Sequence, residues 1–131
     1  MKKEEIAEKM NILGTFLGKR DIPELSREAL EAKYGFSQAD VMVLFGGSIL
    51  CGGDVLAEAM KNEIAKKYII VGGAGHTTEA LRQKMRHAFP EIETNGLLES
   101  DVFEQYLEKR YSLHADYLEG SRQTVEIISP I

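Results

Sequence analysis

The chain has 131 residues with 44% hydrophobic and 28% charged side chains, the profile of one soluble globular domain. Asp and Glu outnumber Lys and Arg by 21 to 16, and the formal net charge of -5 disfavours a broad nucleic-acid surface. No apolar run reaches the roughly 18 residues that span a bilayer, no secretory signal pattern occurs, and there is one cysteine. We therefore expect a cytoplasmic protein without a membrane partner or an internal disulfide.

The first 36 residues are predicted to form a helical segment that packs on a sheet. An amphipathic helix is expected over 3–18, because apolar side chains recur there every three or four residues. The stripe consists of Ile6, Met10, Leu13 and Leu17. Pro23 then interrupts the chain, and a second helix is expected over roughly 24–33. The opening helix either covers one face of the sheet or forms a subunit interface.

Two short apolar runs are predicted to be parallel strands. Residues 41–45 and 68–71 are continuously apolar, which is typical of strands buried on both faces. Each run ends in glycines and is followed by helical spacing, over 54–66 and over 78–88. The candidate N-caps of these two helices are Asp54 and Thr77.

The rest of the chain extends the same alternation. We expect a third strand near 91–95, a helix over 101–111 that Ser100 caps, and a short strand at 116–119. Strand, glycine turn and helix in alternation predict an α/β fold with a doubly wound, mostly parallel sheet of three to five strands. The whole chain, 1–131, is expected to form a single domain.

A ligand site is expected at the carboxyl ends of these strands, where open α/β sheets bind their ligands. The loops at this edge are 46–53, 72–78 and 119–124. Glycines there let backbone amides approach an anion, with Thr77 as a side-chain donor. The candidate residues for this cradle are Gly46, Gly47, Ser48, Gly72, Gly73, Gly75, His76 and Thr77. The alternative is that these glycines only turn the chain from strand into helix.

Side chains with possible chemistry are few. His76 follows the second strand directly and is the candidate general acid or base, the alternative being a hydrogen-bonded turn residue. Cys51 and Ser48 lack the surroundings of an activated nucleophile. Glu99 is a candidate partner for a ligand hydroxyl or amine, and no pair of side chains has the spacing of a metal site.

These residues resemble a known family. A buried strand over 40–46, the loop Gly72-Gly73-Ala74-Gly75-His76-Thr77-Thr78 and a helix opened by Glu99 are similar to the YdcF-like domain family, over roughly 11–126. The resemblance implies a three-layer Rossmann-like sandwich with a polar pocket along the strand ends. It also implies a further signature that opens a helix, which maps onto Glu119, Ser121, Thr124 and Glu126 and adds Ser121 and Thr124 to the pocket.

The resulting functional hypothesis is a domain that binds a small anionic or nucleoside-containing ligand. By resemblance the cofactor is S-adenosylmethionine or a nucleotide. One alternative is a hydrolase or transferase that uses His76 as general acid or base. Another is a non-catalytic, self-associating interaction protein. Because the last signature breaks off near Glu126, we expect a truncated domain or one completed by a homo-oligomer that covers an exposed sheet edge.

Overall fold

The computed structural model describes residues 1–113 and, for the backbone alone, 124–128. The described part is a mixed α/β structure with five helices and a parallel sheet. The helices are α1 (Lys3–Leu17), α2 (Arg27–Tyr34), α3 (Gly52–Lys61), α4 (Thr78–Ala88) and α5 (Glu99–Tyr111). The strands are β1 (Ala39–Phe45), β2 (Ala65–Val71) and β3 (Thr124–Ile128). None of the described helices is long and apolar enough to cross a membrane.

The strands run in the order β1-β2-β3, and both pairs are parallel. Val43 of β1 pairs with Ile69 of β2, which pairs in turn with Glu126 of β3. The chain crosses from β1 to β2 through α3 and from β2 to β3 through α4 and α5. Right-handed crossovers that step in one direction across a sheet place their helices on the same face. In agreement with this, α5 contacts α3, α4 and β2.

One face of the sheet therefore carries the core and the other does not. Tyr68 and Ile70 of β2 are fully buried in a cluster with side chains of α3, α4 and α5. On the opposite face, the side chains of Val41, Val43 and Phe45 in β1 are exposed, and we call this surface the open face. The prediction that residues 41–45 are buried on both faces is wrong, because no described helix covers their second side.

The two N-terminal helices differ in how they are packed. Ser26 caps α2 by accepting a hydrogen bond from the amide of Ala29 at 3.1 Å, and Leu30 joins the core. Gly35 ends α2 at a φ of 77°, a left-handed conformation that favours glycine. By contrast, α1 has no buried residue. Of the segment expected to pack on the sheet, only the part from Ile22 onward contributes to the core.

Three local predictions are corrected by the structure. Residues 91–95 form a turn rather than a strand, and Arg86 holds the turn by donating to the buried Thr94 hydroxyl at 2.6 Å. The helix expected over 54–66 ends at Lys61, before Glu63 adopts a φ of 52°. Residues 124–128 form a strand, not the helix opening that the family signature implied. The strand expected at 116–119 lies outside the described residues.

Candidate functional site

The first turn of α5 closes the carboxyl end of the sheet. The Glu99 amide donates to the carbonyl of Gly73 at 2.9 Å, and the Ser100 hydroxyl donates to the carbonyl of Gly72 at 2.9 Å. Ser100 is buried and lies inside α5, whose N-cap is Leu98. The predicted capping role of Ser100 is therefore wrong. Its hydroxyl satisfies a strand-end carbonyl, while Asp101 accepts from the Leu98 amide at 3.1 Å.

The packing of α5 explains two of the glycines. A Cβ added to Gly72 would lie 2.7 Å from the amide nitrogen of Ser100. A Cβ added to Gly46 would lie 2.7 Å from Glu99 Oε2 and 3.1 Å from the Cα of Gly72. Both positions need glycine because the N-terminal turn of α5 packs directly against them. Helix packing therefore explains these two glycines without a ligand.

Gly47 and Gly75 are in a different environment. A Cβ at either position would meet no atom of the described residues within 4 Å. No packing contact within the described part of the chain therefore explains these glycines. The Gly75 amide is occupied, however, because it donates to the Thr78 hydroxyl at 2.8 Å. Gly75 is thus removed from the set of amides expected to face an anion.

The Glu99 carboxylate is held at this edge by Thr78. The Thr78 hydroxyl donates to Glu99 Oε1 at 2.9 Å, and this threonine is only 1% exposed. Thr77, the predicted donor and cap, occupies the N-cap position but is exposed and makes no capping hydrogen bond. Of the two adjacent threonines, the one that builds the site is Thr78. The sequence signal for it was its position three residues after Gly75, the spacing of a local side-chain-to-backbone turn.

Four backbone amides near the carboxyl ends of β1 and β2 have no acceptor among the described residues. The amides of Gly47, Ser48, Gly73 and Ala74 donate to no acceptor within residues 1–113 or the described strand β3. They belong to the two loops that leave β1 and β2 at their carboxyl ends. Backbone amides in such loops are donors of the kind that can bind an anionic group.

Lys84 brings a positive charge to the same edge. Its ammonium group donates to the carbonyl of Ser48 at 2.5 Å, so α4 ties down the loop after β1. Sequence reasoning missed this residue, since 36 positions separate it from Ser48 and nothing in the local pattern distinguishes it from a surface lysine.

His76 and Cys51 lie at this edge without activating partners. His76 is exposed in the turn before α4, and no described residue donates to it or accepts from it. Cys51 is an exposed thiol at the N-cap position of α3 and has no capping hydrogen bond. A general base needs a group that orients it, and the described part of the chain supplies none for His76.

One predicted site residue, Thr124, is not brought to this edge. Thr124 begins β3 and pairs with Lys67, whereas the loops follow Val71. Four residues of strand, about 13 Å, separate that position from the site. The assignment of Thr124 to the pocket is therefore wrong. Ser121 and Glu119 lie outside the described residues.

A polar cluster locks α3 to α5 behind the site. Asp54, predicted as a cap, instead accepts from the Tyr106 hydroxyl at 2.7 Å and from the Tyr111 hydroxyl, and Arg110 lies 3.4 Å away. Burial, together with the hydrogen bond to Asp54, raises the pKa of Tyr106 to about 12. This arrangement joins α3 to α5, and the Asp54 carboxylate is engaged by the two tyrosine hydroxyls and Arg110.

With this geometry described, the chain can be compared with known proteins. No family model, no curated protein and no solved structure matches it. Among the described residues, no group of three or more His, Cys, Asp or Glu side chains is placed to hold a metal ion. The functional interpretation therefore depends on the arrangement of Glu99, Thr78 and the two loops.

Proposed function

We propose that this chain is a small-molecule-binding domain of the YdcF-like type. Its ligand carries an anionic group together with a hydroxyl or amine, as nucleotides and S-adenosylmethionine do. The observation that supports this most is the fixed Glu99 carboxylate beside two loops with unpaired amides. In the same proposal the sheet belongs to a three-layer Rossmann-like sandwich, whose third layer is a helix on the open face.

The two halves of the site have opposite chemistry. The amides of Gly47, Ser48, Gly73 and Ala74 receive the anionic group, because each is a donor that has no acceptor among the described residues. Glu99 accepts from a neutral or positive group, since its carboxylate would repel a phosphate placed directly against it. Lys84 adds positive charge on the loop side.

Because the site combines amide donors with a carboxylate acceptor, it favours a ligand that carries both an anionic group and a hydroxyl or amine over a simple anion. Carboxylates near the carboxyl edge of an α/β sheet bind the hydroxyls of ribose. A nucleotide offers both a phosphate and ribose hydroxyls, and S-adenosylmethionine offers a carboxylate, an amine and ribose hydroxyls. Inorganic phosphate offers only the anion, so we expect it to bind much more weakly.

Thermal unfolding with a panel of ligands tests the proposal. The panel contains AMP, ADP, ATP, S-adenosylmethionine, S-adenosylhomocysteine and inorganic phosphate. A ligand at 100 times its dissociation constant adds about 2.7 kcal/mol to the free energy of unfolding. We expect a raised midpoint with at least one nucleoside ligand and little change with phosphate. Unchanged midpoints with every nucleoside ligand would contradict the proposal.

A matched pair of variants locates the site. Glu99→Gln keeps an oxygen that accepts from Thr78 but removes the charge, so we expect the fold to persist and ligand binding to weaken at least tenfold. Glu104→Gln, on the exposed side of the same helix, is the control and should bind as the wild type does. Equal affinities in the two variants would exclude Glu99 from the site. Calorimetric titration measures the difference.

A further inference from the structure

Two apolar surfaces are not covered by any other element within the part of the chain that the structure describes. One is the stripe of α1, where Phe16 is 81% and Leu17 is 76% exposed. The other is the open face of the sheet, where Phe45 is 75% exposed. Single exposed apolar residues need no explanation, but contiguous patches of this kind mark interaction surfaces.

The two surfaces match in length and form. The 15 residues of α1 make a helix of about 22 Å, and the seven residues of β1 extend over about 23 Å. Helices in α/β proteins pack along their strands. A helix of this length, with its apolar stripe facing the sheet, therefore covers the open face from end to end.

The connection to the core starts α1 on the side away from the open face of its own copy. Ile22 and Leu25 pack against the core on the helix-covered side, and Asn62 at the end of α3 donates to the carbonyl of Leu25 at 2.7 Å. The five steps from Leu17 to Ile22 span at most about 18 Å. No residue of α1 is buried in the structure, so its apolar stripe is not used within its own copy.

We propose that α1 of each copy docks on the open face of a second copy, in a reciprocal two-fold dimer. In this dimer, α1 of the partner chain forms the third layer on each sheet. A two-fold axis makes the contact self-complementary, so both apolar surfaces of each copy are buried at once.

The area available is that of a stable interface. Each copy contributes eight large apolar side chains that the structure leaves exposed. They are Ile6, Met10, Leu13, Phe16 and Leu17 on α1, and Val41, Val43 and Phe45 on the open face. At roughly 100 Å² each, they supply the about 800 Å² per partner that stable dimers bury.

Light scattering of the full chain over a range of concentrations is the first measurement. We expect twice the monomer mass, with Leu13→Glu in α1 and Val43→Lys in β1 each giving a monomer. The controls are Thr15→Glu, on the opposite side of α1 from its apolar stripe, and Glu58→Lys, on the exposed side of α3. Both controls should remain dimeric. A wild-type monomer at every concentration would overturn the proposal.

Mixing the two monomeric variants identifies the occupant of the open face. In the proposed exchange, α1 of the Val43→Lys chain still finds an intact open face on the Leu13→Glu chain, so a heterodimer forms in the mixture. Pairing between two α1 helices, or between two open faces, would make only one of the variants monomeric and would overturn the proposal. Circular dichroism confirms that each variant is folded. The ligand panel above is independent of this outcome.

Discussion

Gly46 and Gly72 differ from Gly47 and Gly75, although all four lie in the same two loops. The first pair touches the N-terminal turn of α5, and a Cβ at either of the second pair would meet no described atom within 4 Å. We call them the inner and the outer glycines. The comparison teaches that a glycine loop can serve helix packing at one position and leave room for another group at the next. Local sequence does not distinguish the two roles, since the deciding neighbour of Gly72 is Ser100, 28 residues later.

The largest expected effect comes from filling an inner position. In Gly72→Ala the new methyl group would sit 2.7 Å from a backbone nitrogen, which cannot move without displacing α5. Overpacking of this kind costs about 3 kcal/mol. Urea unfolding should show this loss. A loss below about 0.5 kcal/mol would mean that α5 does not rest on the inner glycines.

Tyr106 of α5 predicts a loss of stability at high pH. Burial and the hydrogen bond to Asp54 raise its pKa to about 12 in the folded state. The unfolded pKa is about 10. Between these values only the folded state keeps the phenol proton, so stability falls as pH rises.

The expected fall from pH 10 to pH 12 is roughly 2 kcal/mol, and urea unfolding at several pH values measures it. Tyr106→Phe removes the group and should flatten this part of the profile. The pKa values of Tyr68 and Tyr111 are raised in the same direction, by burial and by the bond to Asp54 respectively, so some slope should remain in that variant. An unchanged slope would show that Tyr106 does not carry the effect.

Thr78 links an outer glycine to the carboxylate that packs on an inner one. Thr78→Val removes the acceptor of the Gly75 amide and the donor to Glu99, at a cost of about 1.5 kcal/mol. Thr77→Val is the control, since Thr77 is exposed and its hydroxyl makes no capping bond. Its effect should stay within about 0.5 kcal/mol. Thermal unfolding of the two variants measures the difference, and equal midpoints would contradict the assigned role of Thr78.

The smallest effect on stability is expected at an outer position. Gly47→Ala meets no atom within 4 Å and should change the free energy of unfolding by less than about 0.5 kcal/mol. It should still weaken the ligands of the proposed site, because a methyl group then stands beside the amides that receive the anion. Calorimetric titration against the wild type measures this. Unchanged affinity would separate Gly47 from the site.

Local sequence patterns predicted most elements but not their surroundings. The helix over 78–88 is confirmed to the residue, and both early strands are confirmed in position. The strand predicted at 91–95 is absent, because Arg86 and the buried Thr94 stabilise a turn there instead. The exposure of one face of β1 contradicts the prediction that residues 41–45 are buried on both faces, since the apolar run gives no sign of whether a helix will cover its second side.

The candidate site was predicted in outline. Strand-end loops and Glu99 were identified from topology and residue type, and the structure brings Glu99 to the two loops. The roles of Thr78, Lys84 and Asp54 depend on contacts between residues more than twenty positions apart, which periodicity cannot report. The same limit placed Ser100 at a helix cap, whereas the family resemblance placed Thr124 in the pocket.

The contact between α5 and the inner glycines also bears on the order of folding. The unit formed by β1, α3 and β2 is continuous in sequence, whereas the pair Gly72 and Ser100 closes a loop of 28 residues. The conformational entropy lost in closing such a loop opposes folding before the contacts that the closure allows can offset it. We expect α5 to dock after the transition state, so that Gly72→Ala accelerates unfolding and leaves the refolding rate nearly unchanged. The carboxyl end of the sheet, where we propose the ligand site, would then be the last part of this molecule to assemble and the first to open.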